Sequence, residues 1–152
     1  AYDVEKTLSN FGGVNRGLCR LDSANLLTSI TECYDIALQS NALQGRIDNN
    51  TINLKSSQLV SMNFWCLTPA IFDALTQFIT QFIETATVTD ECQLPDVIEQ
   101  ALPQQKVAVY RCNSQWFGLT YAADKQWVAE QLEYLPASEA AFYQQRIDSF
   151  KV

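Results

Sequence analysis

The chain has 152 residues, 47% of them hydrophobic, which is enough to bury about two thirds of the unfolded surface in a single domain. Its net charge of -7 disfavours binding to nucleic-acid phosphates and to anionic membrane surfaces. It contains no histidine, which excludes the commonest general base, the commonest zinc ligand and every Ser-His or Cys-His nucleophile pair.

Cysteines occur at positions 19, 33, 66, 92 and 112, an odd number without a C-x-x-C pair. This spacing predicts neither a zinc site nor a disulfide framework. Cys19, Cys66 and Cys112 lie in apolar runs, so we expect them to be buried core residues. No signal segment opens the chain, and no apolar run approaches the roughly 20 residues of a membrane span. The sequence therefore predicts a soluble, cytoplasmic protein with no membrane partner.

The first part of the chain predicts a β-hairpin. A glycine turn at 12–13 leads into a strand that alternates through Leu18, Arg20 and Asp22. "DSAN" at 22–25 is a turn, and "LLTSITE" is the return strand, which we expect to end at Glu32. A second, weaker extended pair covers 45–54 and turns at 49–50.

The middle of the chain predicts a central strand followed by a helix. "LVSMNFWCL" at 59–67 is apolar nearly throughout, as expected for a strand that is buried on both faces at the centre of a sheet. Thr68 and Pro69 are suited to the N-cap and first position of a helix over 69–84. Its apolar residues recur with helical spacing at Ile71, Phe72, Leu75, Phe78, Ile79, Phe82 and Ile83.

The remaining segments predict an alternation of strands and helices. "LPDVIEQAL" at 94–102 is a helix, "KVAVYRC" at 106–112 a strand, and 116–121 extended or turning. "DKQWVAEQLEYL" and "SEAAFYQQRIDSF" at 138–150 are two more helices. Strands that alternate with helices predict an α/β fold with a mixed sheet and flanking helices.

Taken in order, these segments resemble the second half of sugar-phosphate nucleotidyltransferases. The resemblance covers nearly the whole chain and rests on a glycine turn before R-G, "SMNFW", "ECQLP" and "WFGLTYAADK". It implies that residues 1–152 form a single domain, or an excised carboxy-terminal portion of one, with the GT-A-like, Rossmann-related fold of that family. The nucleotide-binding amino-terminal half would then be absent.

The resemblance implies an activity that joins a nucleoside triphosphate to a sugar 1-phosphate and releases pyrophosphate. The nucleotide loop and one Mg²⁺ ligand of the family lie in the first half, so this portion is expected to be inactive alone and to hold no metal. Many members carry a second Mg²⁺ ligand, an aspartate, where this chain has Gly118. We interpret Asp124, beside Lys125, as a helix-start residue instead.

The resemblance also implies the sugar contacts. The matching positions are Gly17, whose backbone amide would bond the sugar, and Glu32, whose carboxylate would accept hydroxyl hydrogen bonds. Asn63 is the next candidate, with Ser61 possible because the register is ambiguous by two residues. Relatives follow the glutamate with a basic residue near the phosphate, whereas this chain has Cys33.

Structural roles are the alternatives for these residues. Gly17 could serve backbone geometry, Glu32 could lie at a solvated strand end, and Asn63 could be a satisfied buried amide. At the level of function, the alternative is a non-catalytic interaction or regulatory module that keeps only the architecture. A central strand at 59–67 without a neighbour would expose its edge, so a two-fold homodimer is also expected.

Overall fold

The structure, a computed structural model, describes residues 1–134, which contain six β-strands and three α-helices. The strands are β1 (Tyr2–Asp3), β2 (Val14–Leu21), β3 (Leu27–Gln39), β4 (Ala42–Ile47), β5 (Asn50–Asn53) and β6 (Leu59–Ser61). The helices are α1 (Ile71–Thr85), α2 (Leu94–Ala101) and α3 (Asp124–Glu133), with a 3-10 turn at Val4–Thr7.

The strands form one sheet in the order β1-β6-β2-β3-β4-β5. Each neighbouring pair in the described chain is antiparallel. The predicted combination of a β-sheet and helices is therefore confirmed, but a mixed sheet is not found in this part of the chain. Short turns reverse the chain between β2 and β3, β3 and β4, and β4 and β5, which makes these pairs antiparallel, whereas β6 pairs with β1 and β2 from a distant part of the chain.

The first predicted hairpin is confirmed as β2 and β3. The carboxylate of Asp22 accepts hydrogen bonds from the N–H groups of Ala24 and Leu26, at 2.8 and 2.9 Å, which fixes the turn. The prediction that the return strand ends at Glu32 is wrong, because β3 continues to Gln39. Beyond Glu32, β3 acquires β4 as its new neighbour through an irregularity in register around Asp35, whose φ is 54°.

The second hairpin, β4 and β5, is also confirmed. Its turn lies one residue earlier than expected, because Ile47 pairs with Asn50 and Asp48 adopts a φ of 51°. Asp and Asn tolerate this left-handed conformation better than most residues, which explains why the turn can settle there.

The long central strand predicted at 59–67 is only partly correct. β6 comprises three residues and pairs with β1 on one side and β2 on the other. Residues 62–67 lie outside any strand, and the Phe64 side chain is 91% exposed. Because β1 covers the expected bare edge of β6, the structure contradicts the reason given for strand-mediated dimerisation.

Two apolar clusters lie on opposite faces of the sheet. The first consists of Val4, Val14, Leu18, Cys33, Ile36, Leu43 and Val60. The second packs the sheet against the helices α1 and α2 and consists of Cys19, Leu27, Ile30, Ile71, Val97, Ile98 and Ala101. Removal of these side chains from water is the main stabilising contribution, at about 25 cal/mol per Å² of apolar surface.

The three described helices match their predictions closely. α1 starts two residues later than expected, because Thr68 and Pro69 form a turn whose carbonyls accept the N–H groups of Ile71 and Phe72 at 3.1 and 3.0 Å. The predicted helix at 138–150 lies outside the described residues. None of the helices in residues 1–134 has the length and apolar character needed to cross a membrane.

Two other predictions fail in part. Residues 106–112 form only an isolated bridge, between Ala108 and Leu26, rather than a full strand. Cys19 is buried as predicted, whereas Cys66 is exposed and Cys112 is half-buried. An apolar run in the sequence does not show whether its segment reaches the core, and these segments lie at its margin.

Candidate functional site

Ser61, Gly17 and Glu32 form a row across three adjacent strands. Gly17 of β2 pairs with Glu32 of β3 on one side and with Ser61 of β6 on the other. Residues that are directly paired project their side chains to the same face of a sheet. Cys19 and Ile30, two residues further along the same strands, belong to the cluster beneath α1 and α2. The row therefore lies on the helix-bearing face.

Gly17 has no side chain, and the Ile30 side chain packs against its backbone. A Cβ at this position would lie 3.0 Å from Ile30 Cδ1 and 3.6 Å from Glu32 Oε2. The small size of glycine thus lets the Ile30 side chain and an oxygen of the Glu32 carboxylate approach the backbone of β2. Because β2 has strands on both sides, the Gly17 N–H lies in the plane of the sheet and does not point towards the helix-bearing face.

The surroundings of the Glu32 carboxyl group disfavour its ionised form. Burial raises the pKa of its carboxyl group, the nearby carboxylate of Asp96 on α2 raises it further, and the cation of Arg16 opposes both. Arg16 is itself held by the 3-10 turn, because its Nη2 donates to the carbonyl oxygen of Thr7 at 2.6 Å. The lone pairs of such a half-buried carboxylate can accept hydrogen bonds from neutral donors such as hydroxyl groups.

α2 and the segment that follows it are hydrogen-bonded to the part of β3 that lies next to the row. The N–H of Ile30 donates to Oε2 of Glu99 at 2.6 Å, and the N–H of Leu27 donates to the carbonyl of Val107 at 2.8 Å. These bonds satisfy the side of β3 that has no strand neighbour and bring Asp96 towards Glu32. Sequence reasoning missed both carboxylates on α2. Their only signal is the i, i+3 spacing of Asp96 and Glu99, which places them on one side of the helix.

The structure distinguishes the two residues left open on the segment after residue 58. Ser61 is in β6 and belongs to the row, whereas Asn63 lies beyond the strand, is exposed and has a φ of 54°. The N–H of Asn63 donates to Oγ of Ser61 at 3.1 Å. The interpretation of Asn63 as a buried amide is therefore wrong, and Ser61 is the residue that faces Gly17.

Cys33 follows Glu32 but points to the opposite face, because side chains alternate along a strand. It is fully buried in the first apolar cluster, and burial raises the pKa of its thiol. Arg16 pairs with Cys33 and stacks over the ring of Trp116, with 4.9 Å between the guanidinium carbon and the ring centroid. A basic side chain at position 33 would thus project from the face of the sheet opposite the row.

Gly118 packs directly against the indole ring of Trp116. A Cβ on residue 118 would overlap the indole ring of Trp116. A larger residue at position 118 would require the Trp116 ring to move.

Asp124 begins α3, as predicted. Its Oδ2 accepts hydrogen bonds from the N–H groups of Thr120 and Tyr121 at 2.8 and 2.6 Å, and its Oδ1 accepts the hydroxyl of Ser9 at 3.1 Å. The bonds to the backbone hold the pKa of this carboxyl group below its usual value. Both oxygens are engaged by the protein, so the surroundings of Asp124 do not fit a magnesium ion.

No protein-family model matches the chain, and a comparison with curated proteins finds no match either. The row of Ser61, Gly17 and Glu32 is therefore the main guide to function.

Proposed function

We propose that this chain is the sugar-phosphate-side portion of a nucleotidyltransferase that joins a nucleoside triphosphate and a sugar 1-phosphate. The portion is inactive alone, because catalysis in this class rests on positioning and on charge neutralisation by metal and basic residues. The Mg²⁺ and the nucleoside triphosphate would be held in the full-length protein by the other half. The fold we propose is the second half of a GT-A-like, Rossmann-related domain.

The single observation that carries the proposal is the pairing of Gly17 with Glu32 on one side and Ser61 on the other, which brings two polar side chains to one face of the sheet. Glu32 can accept two or more hydroxyl hydrogen bonds, and Ser61 can donate or accept. Polar side chains of this kind on adjacent strands suit a polyhydroxylated ring. Hydrogen bonds from Glu32 and Ser61 to sugar hydroxyls need no cation on these strands, because the sugar ring itself is uncharged.

The test uses the full-length protein and a panel of hexose 1-phosphates, with binding measured by calorimetry. Glu32→Ala is expected to lower the affinity by about 1 to 3 kcal/mol, as for the loss of a buried hydrogen-bonded partner, without lowering the melting temperature. Thr31→Ala is the matched control, because Thr31 is the preceding residue of β3 and is exposed on the opposite face.

Ser61→Ala and Asn63→Ala then distinguish the two residues on the segment after residue 58. We expect Ser61→Ala to lower the affinity, because Ser61 belongs to the row, and Asn63→Ala to change it little. Loss of stability without loss of binding in Glu32→Ala would contradict the proposal. Turnover by the 152-residue chain alone, with any nucleoside triphosphate and sugar 1-phosphate, would contradict its inactivity.

The second candidate is a non-catalytic interaction or regulatory module with the same architecture. The packing of Gly118 against Trp116 favours it, since a metal ligand at position 118 would require the Trp116 ring to move. The buried Cys33 favours it as well. Full-length protein that binds hexose 1-phosphates and shows no pyrophosphate release with any of the four nucleoside triphosphates would support this candidate over the enzyme.

A further inference from the structure

A groove of about 980 Å³ lies between the segment 61–68 and the segment 105–112. It adjoins the row only at Ser61 and is otherwise separate from it. This volume is at the upper end of the range found for small-molecule sites, which are mostly apolar with a few placed polar groups. Its walls carry aromatic and aliphatic side chains, namely Phe64, Trp65, Leu67, Val107, Val109 and Trp116.

The charged groups of the groove are basic. Lys106 and Arg111 line it, and no Asp or Glu does so within the described chain. Asp3, behind the wall, binds Nη1 of Arg111 at 2.6 Å and neutralises it in part, so Lys106 carries the free charge. The neighbouring residues 71–105, which include α1 and α2, have the opposite charge, because they contain six Asp or Glu and no Lys or Arg.

Trp65, one of the residues that line the groove, also carries a buried donor that lacks an acceptor. The Nε1–H of Trp65 is shielded from water and has no hydrogen-bond partner in the described residues. An unsatisfied buried donor is costly, and an acceptor supplied by a ligand removes that cost. Carboxylate, sulfonate and phosphate oxygens are suitable acceptors, and each also carries the charge that Lys106 attracts.

From these observations we propose that the groove binds an anionic small molecule with a flat apolar body. The apolar body packs between the aromatic walls, and the anionic group lies near Lys106. An uncharged polypeptide segment is the other occupant of an apolar groove, but it gives no reason for the basic lining. The charge complementarity favours the anionic ligand.

The test compares two fluorescent probes with the same aromatic body, anilinonaphthalene sulfonate, which is anionic, and N-phenylnaphthylamine, which is neutral. The 152-residue chain is expected to bind the sulfonate with one-to-one stoichiometry and more tightly than the neutral probe. Lys106→Glu should weaken the sulfonate about tenfold or more and leave the neutral probe unchanged, since only the former feels the reversed charge. Lys55→Glu is the matched control, because it makes the same change at an exposed lysine outside the groove.

Trp65→Phe removes the orphan donor and keeps most of the ring. It should weaken the sulfonate about threefold or more. Cooperative thermal unfolding of each variant shows that the fold is intact. Equal affinity for the two probes, equal effects of Lys106→Glu and Lys55→Glu, or binding of several sulfonate molecules overturns the proposal. So does binding by this chain that disappears in the longer protein implied by the proposed function, because a polypeptide segment then covers the groove.

Discussion

Replacement of Glu99 by alanine tests how α2 is held against the sheet. Its Oε2 accepts the N–H of Ile30 at 2.6 Å, and Ile30 is only 3% exposed. A hydrogen bond to a charged acceptor contributes about 1.5 to 3 kcal/mol. Glu99 itself is exposed, so water replaces part of that bond, and alanine improves helix propensity by a few tenths of a kcal/mol. We expect a net loss of about 1 to 2 kcal/mol in the free energy of unfolding.

Urea denaturation measures this loss, and the melting temperature should fall by about 3 to 6 °C for a chain of this size. Native-state hydrogen exchange gives a local readout, since the Ile30 amide should exchange about tenfold faster or more once its acceptor is gone. Glu99→Gln keeps a neutral acceptor and should lose about half as much stability, because charged hydrogen bonds are about twice as strong as neutral ones.

Glu84→Ala is the matched control, because it removes the same charge from an exposed position on α1. A result in which Glu99→Ala and Glu84→Ala have equal stability, while the Ile30 amide stays protected, would refute the reasoning. The contact between α2 and the edge of β3 would then not depend on this carboxylate.

Two further predictions concern the core and the row. Gly45→Ala should lower the free energy of unfolding by about 1 to 3 kcal/mol, as measured by urea denaturation. The added Cβ would lie 2.5 Å from Cys33 Sγ and 2.9 Å from Ile36 Cγ1, both in the first apolar cluster. An unchanged denaturation midpoint would mean that the side chains of this cluster rearrange to accommodate the methyl group. Glu32→Gln should raise the melting temperature at pH 7. The raised pKa of Glu32 means that its ionised form costs stability as the pH rises through the folded-state pKa, whereas glutamine stays neutral. The difference from the wild type should vanish below the unfolded-state pKa of about 4.3, and a difference that is constant with pH would contradict this origin.

Local chemistry was enough to predict the hairpins and the described helices. The turn at Asp22 is built by its own side chain, and the apolar spacing of α1 requires one buried stripe whatever covers it. The position of Asp124 at the start of α3 also follows from neighbouring residues, because its strongest hydrogen bonds reach only three and four residues back. Signals of this range are contained in the sequence itself.

Only the tertiary structure decided the arrangement around the row. Ser61 rather than Asn63 faces Gly17 because β6 is three residues long, and that length is set by its pairing with β1 and β2. The approach of Asp96 to Glu32 depends on how α2 docks on β3. Register and docking are contacts between distant parts of the chain, whose free energy depends on shape and burial rather than on any local pattern. For the same reason the apolar run at 59–67 predicted a long strand, whereas in the fold only its first three residues pair with β1 or β2.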